Sequence, residues 1–164
     1  MKKAVWTAAA AAAALFLSAP AFAQTTDSKT VTVSTTVNAR AKLTLGTNAL
    51  TFADADPDTS AVLTASALSV DVKARTTAAG TVTLTVSAPD MTGTGGTIGI
   101  AALKWTSTGT NFVTPGTMST TAVSVGSWTG SGNQTGTQTY TLANSWSYNT
   151  GGYSTTVTYT LTAP

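Results

Sequence analysis

The chain contains no cysteine, no histidine and no glutamate. Without cysteine no disulfide staples the fold, so a chain bound for an oxidising compartment has to hold together by an ordinary apolar core. Without histidine there is no Ser-His-Asp or Cys-His nucleophile arrangement, and the commonest zinc and copper ligand is missing. The carboxylates reduce to six aspartates. Glycosidase chemistry needs two carboxyl groups facing each other across a cleft. Asp71 instead alternates with Lys73 and Arg75 on one strand face, as surface charge does. No enzymatic role is expected.

Charge is as sparse as carboxylate. Of the eight Lys and Arg, Lys2 and Lys3 fall in the first residues, which leaves six against six Asp and a formally neutral remainder. The remaining basic residues, Lys29, Arg40, Lys42, Lys73, Arg75 and Lys104, are scattered and form no stripe that would track a phosphate backbone. Nucleic acid is therefore not an expected partner.

Long apolar runs are also absent except at the start. Lys2 and Lys3, the apolar residues 4–17 and the small-x-small triplet Ala21-Phe22-Ala23 read as a cleaved secretory signal over residues 1–23. The run is shorter than the ~20 residues a helix needs to span a hydrocarbon core. Gln24 follows the cleavage point where a lipidated chain would carry cysteine. The expected mature chain is residues 24–164, one domain without a transmembrane segment, exported to the periplasm, the cell surface or the extracellular medium.

What is present in excess is threonine at alternate positions, the mark of strands with one wet, β-branched face. From Val31 the odd positions read Val31, Val33, Thr35, Val37, Ala39, Ala41, Leu43 and Leu45, and the even ones are polar. This predicts two strands with a bend near residues 38–40. Leu50 and Phe52 predict a short strand. Residues 68–75 and 81–86 alternate on either side of Ala78-Ala79-Gly80 and read as a hairpin. A phase change from Ile98 and Ile100 to Leu103 and Trp105 predicts a bulge near residues 101–102. Further strands are expected around Val123 and Val125, around Tyr140 and Leu142, and from Tyr153 to Leu161. No fixed-period repeat is present. About eight to ten strands separated by turns point to an all-β fold, an immunoglobulin-like antiparallel β-sandwich of Greek-key type.

Four groups of residues stand out as candidate sites. Asp54, Asp56 and Asp58 place carboxylates at alternate positions beside Pro57, a loop able to offer oxygen ligands to Ca²⁺, although the glycine and glutamate of an EF-hand are missing. No other cofactor is indicated. Asn144, Trp146, Tyr148 and Asn149 combine aromatic faces with amides, as a glycan-binding loop does, and Trp105 and Trp128 are possible additions; such aromatics equally serve to fill a sandwich core. Val31, Val33 and Val37 alternate as an assembly strand donated to a neighbour's sheet edge requires, or as the first strand of the chain's own sheet does. Asn149, Gly151 and Tyr153 have the spacing of a tyrosine corner.

The closing segment from Gly152-Tyr153 through Val157, Tyr159 and Leu161 to Ala163-Pro164 resembles the end of WxL-type surface domains, with Tyr159 where the tryptophan would stand. The same segment, behind a threonine-rich β chain, also resembles coat-protein-U and fimbrial-type subunits, whose last strand follows a Gly-Tyr pair. The resemblance implies an immunoglobulin-like sandwich at the cell surface, attached to cell-wall polysaccharide in the first family and self-assembling by strand exchange in the second. The expectation is a non-catalytic surface or structural protein, with a glycan-binding adhesin as the alternative.

Overall fold

The computed structural model describes residues 25–108 and 112–164; the expected signal, residues 1–23, lies outside the described residues. The chain divides into two units, Met1–Thr35 and Thr36–Pro164. In the first, residues 25–35 are exposed and belong to no strand.

The second unit is all β. Its strands are β1 (Arg40–Leu45), β2 (Val62–Thr64), β3 (Leu68–Arg75), β4 (Thr81–Ser87), β5 (Met91–Gly93) and β6 (Gly96–Ile98), followed by β7 (Leu103–Thr108), β8 (Gly116–Thr117), β9 (Val123–Thr129), β10 (Gly132–Ala143), β11 (Tyr153–Ser154) and β12 (Thr158–Thr162). They pair antiparallel in three sheets. The largest runs β1-β3-β10-β7-β8, with β2 beside the far end of β10; the others run β12-β4-β9 and β11-β5-β6.

Alternation decides what is buried. Along β3, Leu68, Val70, Val72 and Ala74 turn inward while the residues between them face outward, and β4 buries Val82, Leu84 and Val86 in the same way. The inward residues of the sheets meet in one apolar cluster, the core of a sandwich. Burial of each such Val or Leu contributes roughly 1.5–3 kcal/mol, and with no disulfide this cluster carries the fold.

Several expected elements differ. Val31, Val33 and Val37 lie in no strand, although their alternation continues that of β1. The β1–β3 ladder ends where Arg40 pairs with Arg75, the last residue of β3. Leu50 and Phe52 pack on the core from an irregular segment. Strands β3 and β4 do not form a hairpin. The 76–80 link carries the chain from one sheet to another, so β3 pairs with β1 and β10, and β4 with β12 and β9. At residues 100–102 the phase change is made by a 3₁₀ turn, Ile100–Ala102, rather than a bulge. The register shift in a sheet instead falls between Leu84 and Thr85 on β4, opposite β9.

Around Trp105 the packing leaves no slack. The ring is buried, its Nε1 donates to Thr114 O at 2.7 Å, and it lies over Gly116 of β8. A Cβ at Gly116 would stand 2.2 Å from the ring. Gly116→Ala is therefore expected to destabilise the domain by about 1–3 kcal/mol through overpacking, read as a lower urea midpoint at unchanged m-value.

Candidate functional site

Two loops far apart in sequence meet at the end of the β2–β10 pair. Residues 54–60 form a tight turn: the N–H of Asp58 donates to Asp56 Oδ1 at 2.9 Å, and Ser60 N donates to Asp56 O at 2.8 Å. Across from it, Asn144 directly follows β10 and uses its side chain as a brace, with Nδ2 donating to Ala55 O and Ser60 O, both at 2.9 Å. Its own N–H donates to Ala61 O. From this anchored base the chain turns through Ser145 and Ser147, whose hydroxyls pair at 2.8 Å, and presents Trp146. The indole Nε1 donates to Asp58 Oδ1 at 2.9 Å, while 69% of the residue remains exposed.

The candidate residues thus take separate tasks. Trp146 is the exposed aromatic. Asn144 is committed to holding the two loops together, and Tyr148 is half-buried against the core. Trp105 and Trp128 do not join Trp146: the first is buried, and the second packs edge-on against Phe112 with ring centroids 5.4 Å apart. Asp54, Asp56 and Asp58 do not gather as a metal-binding set. Among the described residues no three His, Cys, Asp or Glu side chains converge in a way that could hold an ion. Asp56 and Asp58 each spend an oxygen on the turn and on the indole, respectively.

Asn149, Gly151 and Tyr153 form a second feature. The Tyr153 hydroxyl lies 2.8 Å from Asn149 O and 2.9 Å from Gly95 O, and Asn149 Nδ2 donates to Gly95 O at 3.2 Å. Gly151 has φ +150° and sits against the backbone of Gly95, where a Cβ would come within 2.4 Å. These contacts pin the 144–152 loop to the β5–β6 turn.

The third feature is an open cleft of about 800 Å³ within the second unit. One lip is formed by Leu45, Leu50 and Phe52, the other by residues 151–157, and core residues such as Leu68, Leu103 and Leu142 line its floor. Of the strands that contribute to it, β1 (through Leu45) and β12 (through Tyr159) are terminal strands of their sheets, each hydrogen-bonded to one neighbour. Open edges of this kind present unpaired N–H and C=O groups to any chain that can lie along them. Among the described residues the exposed large apolar side chains are Val31, Val33 and Val37, at 85%, 89% and 63% exposure, together with Trp146 and Val62.

One buried polar group had no signal in the sequence. Gln138 on β10 is fully buried, and Tyr159 on β12 donates its hydroxyl to Gln138 Oε1. Tyr140 and Tyr159 share a hydrogen bond of 2.6 Å across the sandwich. Burial pushes both phenols above the usual tyrosine range; for Tyr159 the nearby Tyr140 adds to the shift, while for Tyr140 the bond to Tyr159 partly offsets it. Gln138 Nε2 has no hydrogen-bond partner among the described residues.

Fold and site together define a disulfide-free all-β protein with an open cleft and a braced aromatic loop. Among the described residues no helix is long and apolar enough to cross a membrane. No protein-family model matches the chain, and no curated protein matches its sequence.

Proposed function

We propose that this chain is a non-catalytic, exported structural subunit of a surface or coat-like assembly, in which copies join through their N-terminal segments. The domain in this reading is an immunoglobulin-like sandwich, akin to the WxL, coat-protein-U and fimbrial types that its closing segment resembles. One observation carries the proposal: Val31, Val33 and Val37 alternate as strand residues do, yet belong to no strand and stand exposed. Large apolar side chains left in water on a segment of β pattern call for a partner. A second copy supplies one of fitting chemistry, since core leucines line the cleft and its lining residues Leu45 and Tyr159 belong to β1 and β12, each a terminal strand of its sheet. A donated strand gains backbone hydrogen bonds along the edge and buries every other side chain.

The exported chain, sedimented alone and with cell-wall polysaccharide, tests this. Pelleting without the polysaccharide, lost when residues 24–37 are deleted, is the expected result. A chain that remains monomeric at all concentrations overturns the reading, and one that pellets only with the polysaccharide replaces it with a wall-associated module.

A further inference from the structure

We propose that the turn at residues 54–60 and the loop at residues 144–149 together form a binding surface for neutral polysaccharide, with Trp146 as the stacking platform and Asp58 as an acceptor for sugar hydroxyls. The proposal is independent of self-assembly, because it does not use the N-terminal segment and shares only Asp54 with the lining of the cleft.

The first support is the state of the Trp146 ring. A tryptophan with 69% of its surface in water is not a core residue, yet it is not loose either. Its polar atom is already bonded to Asp58 at 2.9 Å, so the indole offers its apolar faces to a ligand at a fixed angle. The support beneath it is equally fixed. Asn144 ties the loop to Ala55, Ser60 and Ala61, the pair β2–β10 continues that connection from Ala143↔Val62, and Ser145 Oγ accepts from Ser147 N at 3.1 Å. A site ordered before binding loses little conformational freedom on binding, and this separates a recognition surface from an aromatic that merely happens to be exposed.

The second support is the match of chemistry. The electron-rich face of an indole attracts the C–H groups on the flat face of a pyranose ring. Hydroxyls at the edge of the same sugar need acceptors beside the ring. A carboxylate only accepts, with two oxygens and several lone pairs, and Asp58 uses Oδ1 for the indole N–H and has Oδ2 to offer. Val62, at 53% exposure, lies at the same end of the β2–β10 pair and extends the apolar footing.

Charge selects among sugars. Asp54, Asp56 and Asp58 lie within five residues, and neither loop contains a lysine or arginine. A uronic-acid or phosphate-bearing polymer meets like charge here, whereas a neutral hexose or N-acetylhexosamine polymer does not.

The test measures binding of the full exported chain to immobilised hydroxyethylcellulose, laminarin, glycol chitin and polygalacturonate. Wild type, Trp146→Ala, Trp146→Phe and Asp58→Ala are compared, each confirmed by sedimentation to be in the same assembly state. The expected result is binding to at least one neutral polymer and none to polygalacturonate. Trp146→Ala should weaken that binding tenfold or more, Trp146→Phe should retain most of it, and Asp58→Ala should lose severalfold. Because the ring is largely outside the core, Trp146→Ala should leave the melting temperature near that of wild type. If it does not, Asp58→Ala and Trp146→Phe carry the test. Failure of every neutral polymer to bind overturns the proposal, as does unchanged affinity in Trp146→Ala, or a preference for polygalacturonate.

Discussion

The double substitution Val31→Asp/Val33→Asp is expected to abolish self-association while leaving the melting temperature of the domain unchanged. Both side chains are almost fully exposed and belong to no strand, so the folded unit 36–164 loses no packing. In the proposed assembly they would pack on the leucines that line the cleft of a second copy. Burial of each valine contributes roughly 1.5–3 kcal/mol, so loss of two weakens association by about two to four orders of magnitude at ~1.4 kcal/mol per decade. An unpaired carboxylate in an apolar site adds a further desolvation penalty. The parity control is Thr32→Asp/Ser34→Asp, which carries the same added charge on the alternate face. If strand donation is the mechanism, this control still assembles, with reduced affinity at low salt. Equal loss in both variants, measured by sedimentation velocity, would point to charge repulsion and against a donated strand.

Above about pH 10, where tyrosine ionises in an unfolded chain, the domain is expected to unfold cooperatively. Tyr140 and Tyr159 are held protonated by burial, their folded pKa values lying above the unfolded one. The folded state then binds more protons than the unfolded state at alkaline pH. The stability from this pair is fully present below the unfolded value and is lost as pH rises through the folded ones. Circular dichroism and tyrosinate absorbance followed together should show these two phenols ionising only as the sheets are lost.

Tyr159→Phe probes the same network at neutral pH. It takes the hydroxyl from Gln138 Oε1 and from Tyr140, whose other side is the Trp105 ring at 6.3 Å. Leaving a buried polar group unpaired costs about 1–3 kcal/mol, a large share of the 5–15 kcal/mol that holds a domain together. Addition of Gln138→Met should recover part of that loss, because it removes an amide whose nitrogen is already unpartnered. No recovery in chemical denaturation would mean that the amide contributes more than its geometry accounts for.

How much of this was legible in advance can be followed along particular residues. The inward faces of β3, β4 and β12 were readable from the alternation of Val70 with Asp71, Val82 with Thr83 and Tyr159 with Thr160. The same alternation misled at residues 68–86, because strands that face each other across a core carry the same pattern as strands that pair. It misled again at Val31, where the pattern persists beyond the end of its partner strand. Asp58 and Trp146 were each singled out as candidate ligand groups, the one for a cation and the other for a sugar. Their meeting had no local signal, since 88 residues separate them.

The sequence by itself therefore determined the all-β class, the side that the residues of β3, β4 and β12 face, and the absence of disulfide and histidine chemistry. These follow from composition and from a period of two, which any short stretch of chain carries within itself. Only the tertiary structure decided which strands share a sheet, that β1 and β12 are terminal strands of different sheets, that Gln138 is sealed in with two tyrosines, and that Trp146 rests on an aspartate. Each of these depends on long-range pairing, whose partners are chosen by how whole sheets pack and not by the pattern of any one segment.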